Sequence, residues 1–282
     1  MEDRTELANL AVGLDLLDLQ QRESLGARFL HSHASTLRAL ASLAVVAILW
    51  EIAGRSGRWP LILSPVSEIW NKFLQLTRSG ELLKDITVSL NEFIVGFALA
   101  AVVGILLGIV IASSKSAKDF IDPWVSAVYA TPTVALAPLF IFVFGIDAAS
   151  KMAVVFLLAV FPIIINTATG ITSTDQVFVE AARSFSANKV QIFSKVLIPS
   201  ALPFIVAGLR LGIGRGLVGV VVGEFIGARA GLGYLIFKSS QGFQIDAMWV
   251  GVFLLAGTGV LAVSILQRVE RRMAPWRQFE LK

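Results

Sequence analysis

With 282 residues, 56% of them hydrophobic and only 16% charged, the chain is too apolar for an ordinary globular protein of its length. A mean hydropathy of +0.76 agrees, and the absence of cysteine excludes disulfides, thiolate metal sites and thiol nucleophiles. The formal charge of +4 does not indicate nucleic acid, because Lys and Arg flank apolar runs instead of lining one interleaved face.

The chain opens Met1-Glu2-Asp3-Arg4-Thr5-Glu6, without the basic region and apolar core of a signal peptide, so the first membrane helix is expected to act as the insertion signal. Within residues 1–35, Leu7, Leu10, Leu14 and Leu17 recur at helical spacing with Glu6, Asp15 and Asp18 on the other face. This reads as a cytoplasmic amphipathic segment that lies on the membrane or touches a partner; a frayed polar tail is the alternative. Residues 36–282 form the membrane domain.

Six apolar runs, about 38–54, 87–112, 124–145, 152–170, 203–226 and 248–267, approach or exceed the roughly 20 residues needed to cross a hydrocarbon core of about 30 Å. The fold class is therefore an all-α integral membrane protein with about six transmembrane helices. Arg28, Arg38, Lys115, Lys118, Arg183, Lys189, Lys195, Arg268, Arg271, Arg272 and Arg277 fall on one side if both termini are cytoplasmic. Arg58, Lys72, Arg78 and Lys84 oppose that trend but are accompanied by Glu68, Glu81 and Asp85. Ser64-Pro65 reads as a helix start, with Val66, Ile69, Trp70 and Phe73 on one face of an interfacial or simple packing helix. Trp50, Trp59, Trp124 and Trp249 stand near span ends, as an interfacial aromatic belt requires.

Gly104 and Gly108 in the second run, and Gly208, Gly212, Gly216, Gly219, Gly223 and Gly227 in the fifth, predict close helix packing. Gly214-Arg215-Gly216-Leu217-Val218-Gly219 matches a dinucleotide fingerprint only in letters, since no strand precedes it. No phosphate-binding loop of the G-x-x-x-x-G-K-[S/T] type occurs, so any ATP energy must come from another polypeptide.

Intramembrane charges are costly and ask for a reason. Counting from Pro203, Arg210 lies about 10 Å and Arg215 about 18 Å along the helix, with Glu224 near its far end. Either arginine is a candidate for facing a passage and attracting an anionic solute; an internal ion pair or a snorkelling side chain is the competing reading. Glu224 reads as a gate or packing partner. Tyr129, Thr131, Thr133, Asn166 and Thr167 surround Pro132 and Pro162 and are candidate lining residues, with interhelical hydrogen bonds as the alternative.

Between the fourth and fifth runs, residues 171–200 are too polar for lipid and read as a cytoplasmic helix-turn-helix. Ala181 and Ala182 give a smooth helical surface, Glu180 a charge, and Pro199 is expected to end the second helix. Glu180-Ala181-Ala182, Ser186, Val196, Ile198 and Pro199 resemble the EAA loop of ABC importer permeases, with serine at the turn glycine and isoleucine at the leucine before the proline. The chain is similar, more narrowly, to permeases for nitrate, taurine and aliphatic sulfonates. The match runs through Ser64-Pro65, Ser89-Leu90, Gly96, Asp122-Pro123, Thr131-Pro132-Thr133, Pro138, Gly145, Lys151, Pro162, Asn166-Thr167, Gly208-Leu209-Arg210, Glu224 and Gly231-Leu232-Gly233. Glu92 departs from the arginine often found there.

The resemblance implies a type I ABC importer permease in a bacterial inner membrane, carrying a small anionic solute of the nitrate, sulfonate or taurine kind. It implies ATPase coupling through Glu180, Ala181, Ala182, Arg183 and Ser186, two ATPase subunits holding ATP and Mg, a second copy of this chain, and a periplasmic or lipid-anchored solute-binding protein. No cofactor, metal or catalytic site is expected on this chain. An ion-gradient-driven secondary carrier is the rival reading, disfavoured by the lack of an internal repeat and by acidic residues confined to Glu51, Glu92 and Glu224. A membrane enzyme is disfavoured because both histidines, His31 and His33, lie in the N-terminal segment.

Overall fold

In hydrocarbon every backbone N–H and C=O must be satisfied by the protein itself, and a helix does this within one segment. The computed structural model describes residues 38–273, and all regular structure among them is helical. The amphipathic segment expected over 1–35, with Arg28, and the terminal Arg277 lie outside the described residues.

The chain divides into two compact units, residues 1–67 and 68–282. In the first, α1 is helical over 38–55. Trp50 Nε1 donates to the Ser64 carbonyl at 3.0 Å, and the Glu51 carboxylate accepts from Ser67 N at 3.1 Å, Ser67 Oγ at 2.8 Å and Arg55 Nε at 2.6 Å. A carboxylate thus meets free N–H groups at the start of the next helix, α2 (Val66–Arg78).

Among its described residues, the second unit holds four helices long and apolar enough to cross a membrane, and a fifth candidate that is bent. The straight ones are α3 (Glu81–Ser113), α6 (Ala148–Thr172), the helix from Lys189 to Gly227, and α11 (Ile245–Met273, apolar to Arg272). The run expected at 38–54 is not among them, because its described helix carries Arg38, Glu51 and Arg55. The run expected at 124–145 is not one straight span either. It breaks into α4 (Lys115–Ala130) and, after a 3-10 turn at Thr133–Leu136, α5 (Ala137–Phe144), bent by 87°. Pro132 is the cause: its ring forces Thr131 out of the helical region, to φ −74° and ψ 141°.

Glycines fix the packing around α6. A side chain at Gly96, Gly104 or Gly108 of α3 would strike α6 at Val155, Ile163 or Thr167 respectively, so α3 and α6 run parallel. A side chain at Gly208, Gly212, Gly219 or Gly223 would strike α6 at Asn166, Ile163, Val155 or Lys151, so the helix ending at Gly227 runs antiparallel to α6. The small residues let two helix backbones approach α6 from either side, and dispersion contacts of the buried Val154, Val155, Ala159 and Ile163 replace the hydrophobic drive that lipid cannot supply.

The polar stretch forms α7 (Gln176–Ser184), capped by Asp175 Oδ1 on Val177 N at 2.9 Å. Then α8 (Lys189–Ile192) begins with a capping box, Asn188 accepting from Gln191 N at 2.9 Å and donating its own N–H to Gln191 Oε1 at 2.8 Å. Pro199 does not end that helix, contrary to expectation. A π-helical turn over Phe193–Leu197 widens the coil upstream of the proline, and α9 (Ile198–Gly227) continues without interruption. Pro199 has no N–H to give to the helix ladder, and the wider π turn directly before it is where the continuous helix accommodates that loss. The unit closes with α10 (Leu232–Gln241) and α11.

Candidate functional site

The break between α4 and α5 leaves backbone and side-chain polar groups at membrane depth, and such groups are tolerated only where protein or water satisfies them. Here they border a cavity of about 300 Å³ lined by Tyr129, Thr131, Pro132, Thr133, Phe161 and Arg215, among others. Arg215 lies level with the middle of α6, since the neighbouring Gly212 and Gly216 meet Ile163 and Ala159. Its guanidinium has no ion pair among the described residues. Thr131 Oγ1 donates to the Ala127 carbonyl at 3.0 Å, healing part of the frayed end of α4.

The remaining path candidates lie elsewhere. Arg210 pairs with Glu270 of α11 at 3.2 Å, which is the internal ion pair weighed above. Asn166 Nδ2 donates to the Pro162 carbonyl at 2.8 Å and abuts Gly208, and α6 runs through Pro162 without a break. Thr167 is fully buried against Gly108, with no hydrogen-bond partner for Oγ1 among the described residues.

Glu224 sits at the end of the unit opposite the hairpin and is 1% exposed. Its Oε1 accepts from Ser89 Oγ at 2.5 Å, and its Oε2 accepts from Gly233 N at 2.5 Å and Tyr234 N at 3.2 Å. Ser89 Oγ in turn accepts from Leu232 N at 2.7 Å, and Asp85 Oδ1 from Gly231 N at 2.8 Å. Four backbone donors at the start of α10 are therefore capped by side chains of α3 and α9. Gly231, at φ 124°, is required there, because any side chain would run into the Glu224 carboxylate. The role of Ser89 and Asp85 was not legible in the sequence; the nearest signal is Gly231-Leu232-Gly233 just before a helix.

At the hairpin, Glu180, Ala181, Arg183 and Ser186 are exposed and Ala182 half-buried, while Val179 is buried and holds α7 in place. Ser186 adopts the left-handed conformation, φ 58°, that the turn demands. A glycine would hold this conformation without strain, and the serine holds it at some conformational cost.

A family model for the binding-protein-dependent transport system inner membrane component matches residues 104–275. The chain belongs to this family. Among curated relatives of this permease family, the chain is 34% identical over 243 residues, 86% of its length and 88% of the relative's, to the putative aliphatic sulfonates transport permease protein SsuC of Bacillus subtilis (strain 168). It is 32% identical over 82% of its length to the formylaminopyrimidine transport permease protein ThiX of Halalkalibacterium halodurans, covering 92% of that relative. To the taurine transport system permease protein TauC of Escherichia coli (strain K12) it is 29% identical over 84% of its length, covering 89% of the relative. The fold matches a chain of the inward-facing methionine ABC transporter MetNI with a TM-score of 0.60 at 20% identity, covering 68% of this chain and 95% of that one.

The chain is thus the transmembrane permease subunit of an ABC importer, with the type I permease fold, in the inner membrane; it is a transport component and not an enzyme. Membership of the family implies an ATPase and a solute-binding protein as partners. The secondary-carrier reading falls with this assignment.

Proposed function

We propose that the permease carries a small organic anion of the aliphatic sulfonate class, and that Arg215 attracts it at mid-depth. One observation carries this reading: an unpaired guanidinium borders a cavity with Tyr129, Thr131 and Thr133. Guanidinium binds oxyanions bidentately, and a water-poor site strengthens that pairing. The names of the sulfonate and taurine relatives support the same class.

Leu211, Gly214, Arg215 and Val218 leave one face of α9 exposed in the single chain, which favours a homodimer closing around a shared path. Two ATPase subunits, which bind the ATP and Mg, grip the two hairpins through the exposed face carrying Glu180, Ala181 and Arg183, with Ala182 and the Ser186 turn shaping it. The hairpin side is cytoplasmic, with both termini, and a periplasmic or lipid-anchored binding protein delivers solute to the other side. Division into a segment of 1–35 and a permease domain of 36–282, with the coupling loop at 171–200, accords with this arrangement.

The test is Arg215→Ala in proteoliposomes containing the ATPase and binding protein. Solute-stimulated ATP hydrolysis should fall about tenfold, the loss of one charged hydrogen-bonding pair, with the ATPase still attached. Full stimulation would remove Arg215 from the path.

A further inference from the structure

At the end of the unit opposite the hairpin, the contact between α3 and α9 changes character. Phe93 of α3 packs on Ile213 and Val220 of α9, but one turn further out the two helices meet through carboxyl groups. Glu92 and Glu224 lie in hydrogen-bond contact and are only 2% and 1% exposed. Two buried carboxylates in contact cannot both stay ionised, so the pair holds one proton.

The hydrogen bonds assign that proton. Glu224 already accepts from Ser89 Oγ, Gly233 N and Tyr234 N, the surroundings of an anion. Glu92 is therefore the acid that donates to it, and Glu92 Oε2 has no partner among the described residues. Glu92 also lines a cavity of about 310 Å³ with Val88, Asp147, Lys151 and Arg229, through which the acid can exchange its proton with water.

Lys151 of α6, 5% exposed, donates to the carbonyls of Ile146 and Asp147 and sets one positive charge beside the pair. With the shared proton in place, the three buried side chains sum to neutral. Without it they carry a net negative charge away from water, which is costly. Of the other groups around the pair, Asp85 of α3 is spent on Gly231 N, and α10 meets Glu224 through backbone N–H groups. The exposed Asp147 and Arg229 at the cavity mouth are of opposite sign.

The pair is thus a bond between helices whose strength depends on one proton. It joins α3 to α9, and Glu224 in turn caps the start of α10. We infer that it is a proton-held latch that keeps the solute-receiving end of the permease closed, and that loss of the proton lets that end open. This rests on the importer reading, under which solute enters opposite the cytoplasmic hairpin. The closed state binds a proton that the parted, hydrated carboxylates give up to water. Low pH therefore favours closure and high pH opening, by up to about tenfold per pH unit.

The experiment uses the full-length permease with its ATPase in lipid nanodiscs. Because the chain has no cysteine, Val88→Cys puts a single thiol in the cavity lining, and Ser79→Cys puts an exposed one outside it. Labelling of Val88→Cys by a membrane-impermeant maleimide, divided by that of Ser79→Cys to remove the pH dependence of the thiol, reads opening. The ratio should rise about tenfold when the pH is raised by about two units. Glu92→Gln, whose amide N–H replaces the acid proton and cannot leave, should hold the ratio low and flat, and Asp85→Asn should leave the native rise intact. A flat native ratio overturns the latch, as does an undiminished rise in Glu92→Gln or a rise abolished by Asp85→Asn alone. If Glu92→Gln fails to fold, the native ratio and Asp85→Asn decide. ATPase retention and solute-stimulated hydrolysis are recorded throughout, so a failed latch in a working importer stays distinct from failure of the importer reading.

Discussion

Small residues do opposite work in the seam along α6 and in the hairpin between α6 and α9. Along α6, glycines of α3 and α9 face Val155, Ile163, Thr167 and Lys151 so closely that no side chain fits. In the hairpin, Ala181 and Ser186 face outward, flanked by Val177, Phe178, Phe185 and Val190, which are 65%, 60%, 87% and 74% exposed. Smallness is used inside the bundle to bring helices together, and in the hairpin, on the function proposed above, to leave room for the ATPase. Small residue type alone does not separate the two uses; burial does, since the seam glycines are buried whereas Ala181 and Ser186 are exposed.

The largest effect expected is on the seam. A Cβ at Gly108 would already lie 2.6 Å from Thr167 Cβ and 2.8 Å from the Ile164 carbonyl, so Gly108→Leu must force α3 and α6 apart. Overpacking of this kind costs about 1–3 kcal/mol or more, and the variant should show a lowered thermal midpoint in detergent. A native midpoint would break the claim that this seam is close-packed.

A smaller effect separates turn from seam. Ser186 holds φ 58°, and a β-branched residue tolerates that region poorly, so Ser186→Val should cost about 1–2 kcal/mol. Ser186→Gly should instead stabilise by up to about 1 kcal/mol, since glycine fits there without strain. Both are read from thermal unfolding, and identical midpoints would contradict the turn assignment. Smallest of all is Gly257→Ala on α11: nothing lies within 4 Å of a Cβ there, so stability should rise by no more than about 1 kcal/mol from helix propensity. Large destabilisation at Gly257 would erase the distinction between packed and open glycines.

Much of the bundle was legible because apolar runs and glycine spacing report directly on lipid contact and close packing. Four expected spans coincide with α3, α6, the long helix through α9, and α11. The bend at Pro132 was not foreseen as a break, because a proline within an apolar run is equally compatible with a kinked but continuous helix, as α6 at Pro162 demonstrates. Pro199 misled in the other direction. Its helix continues because a π turn precedes it, a backbone adjustment without a letter code in the sequence. Of the path candidates, Arg215, Tyr129, Thr131 and Thr133 converge on one cavity, whereas Arg210 turns to Glu270 across sixty positions of chain, a pairing no local pattern announces.

The central claim is that the exposed hairpin is the handle by which an ATPase moves the bundle. It is tested most directly by isolating Glu180→Lys from membranes together with its ATPase. The account predicts native insertion, because Glu180 is exposed and its side chain supports no other element, with about a tenfold loss of co-purified ATPase from reversing one charge at the contact. Native co-purification together with native uptake would contradict it.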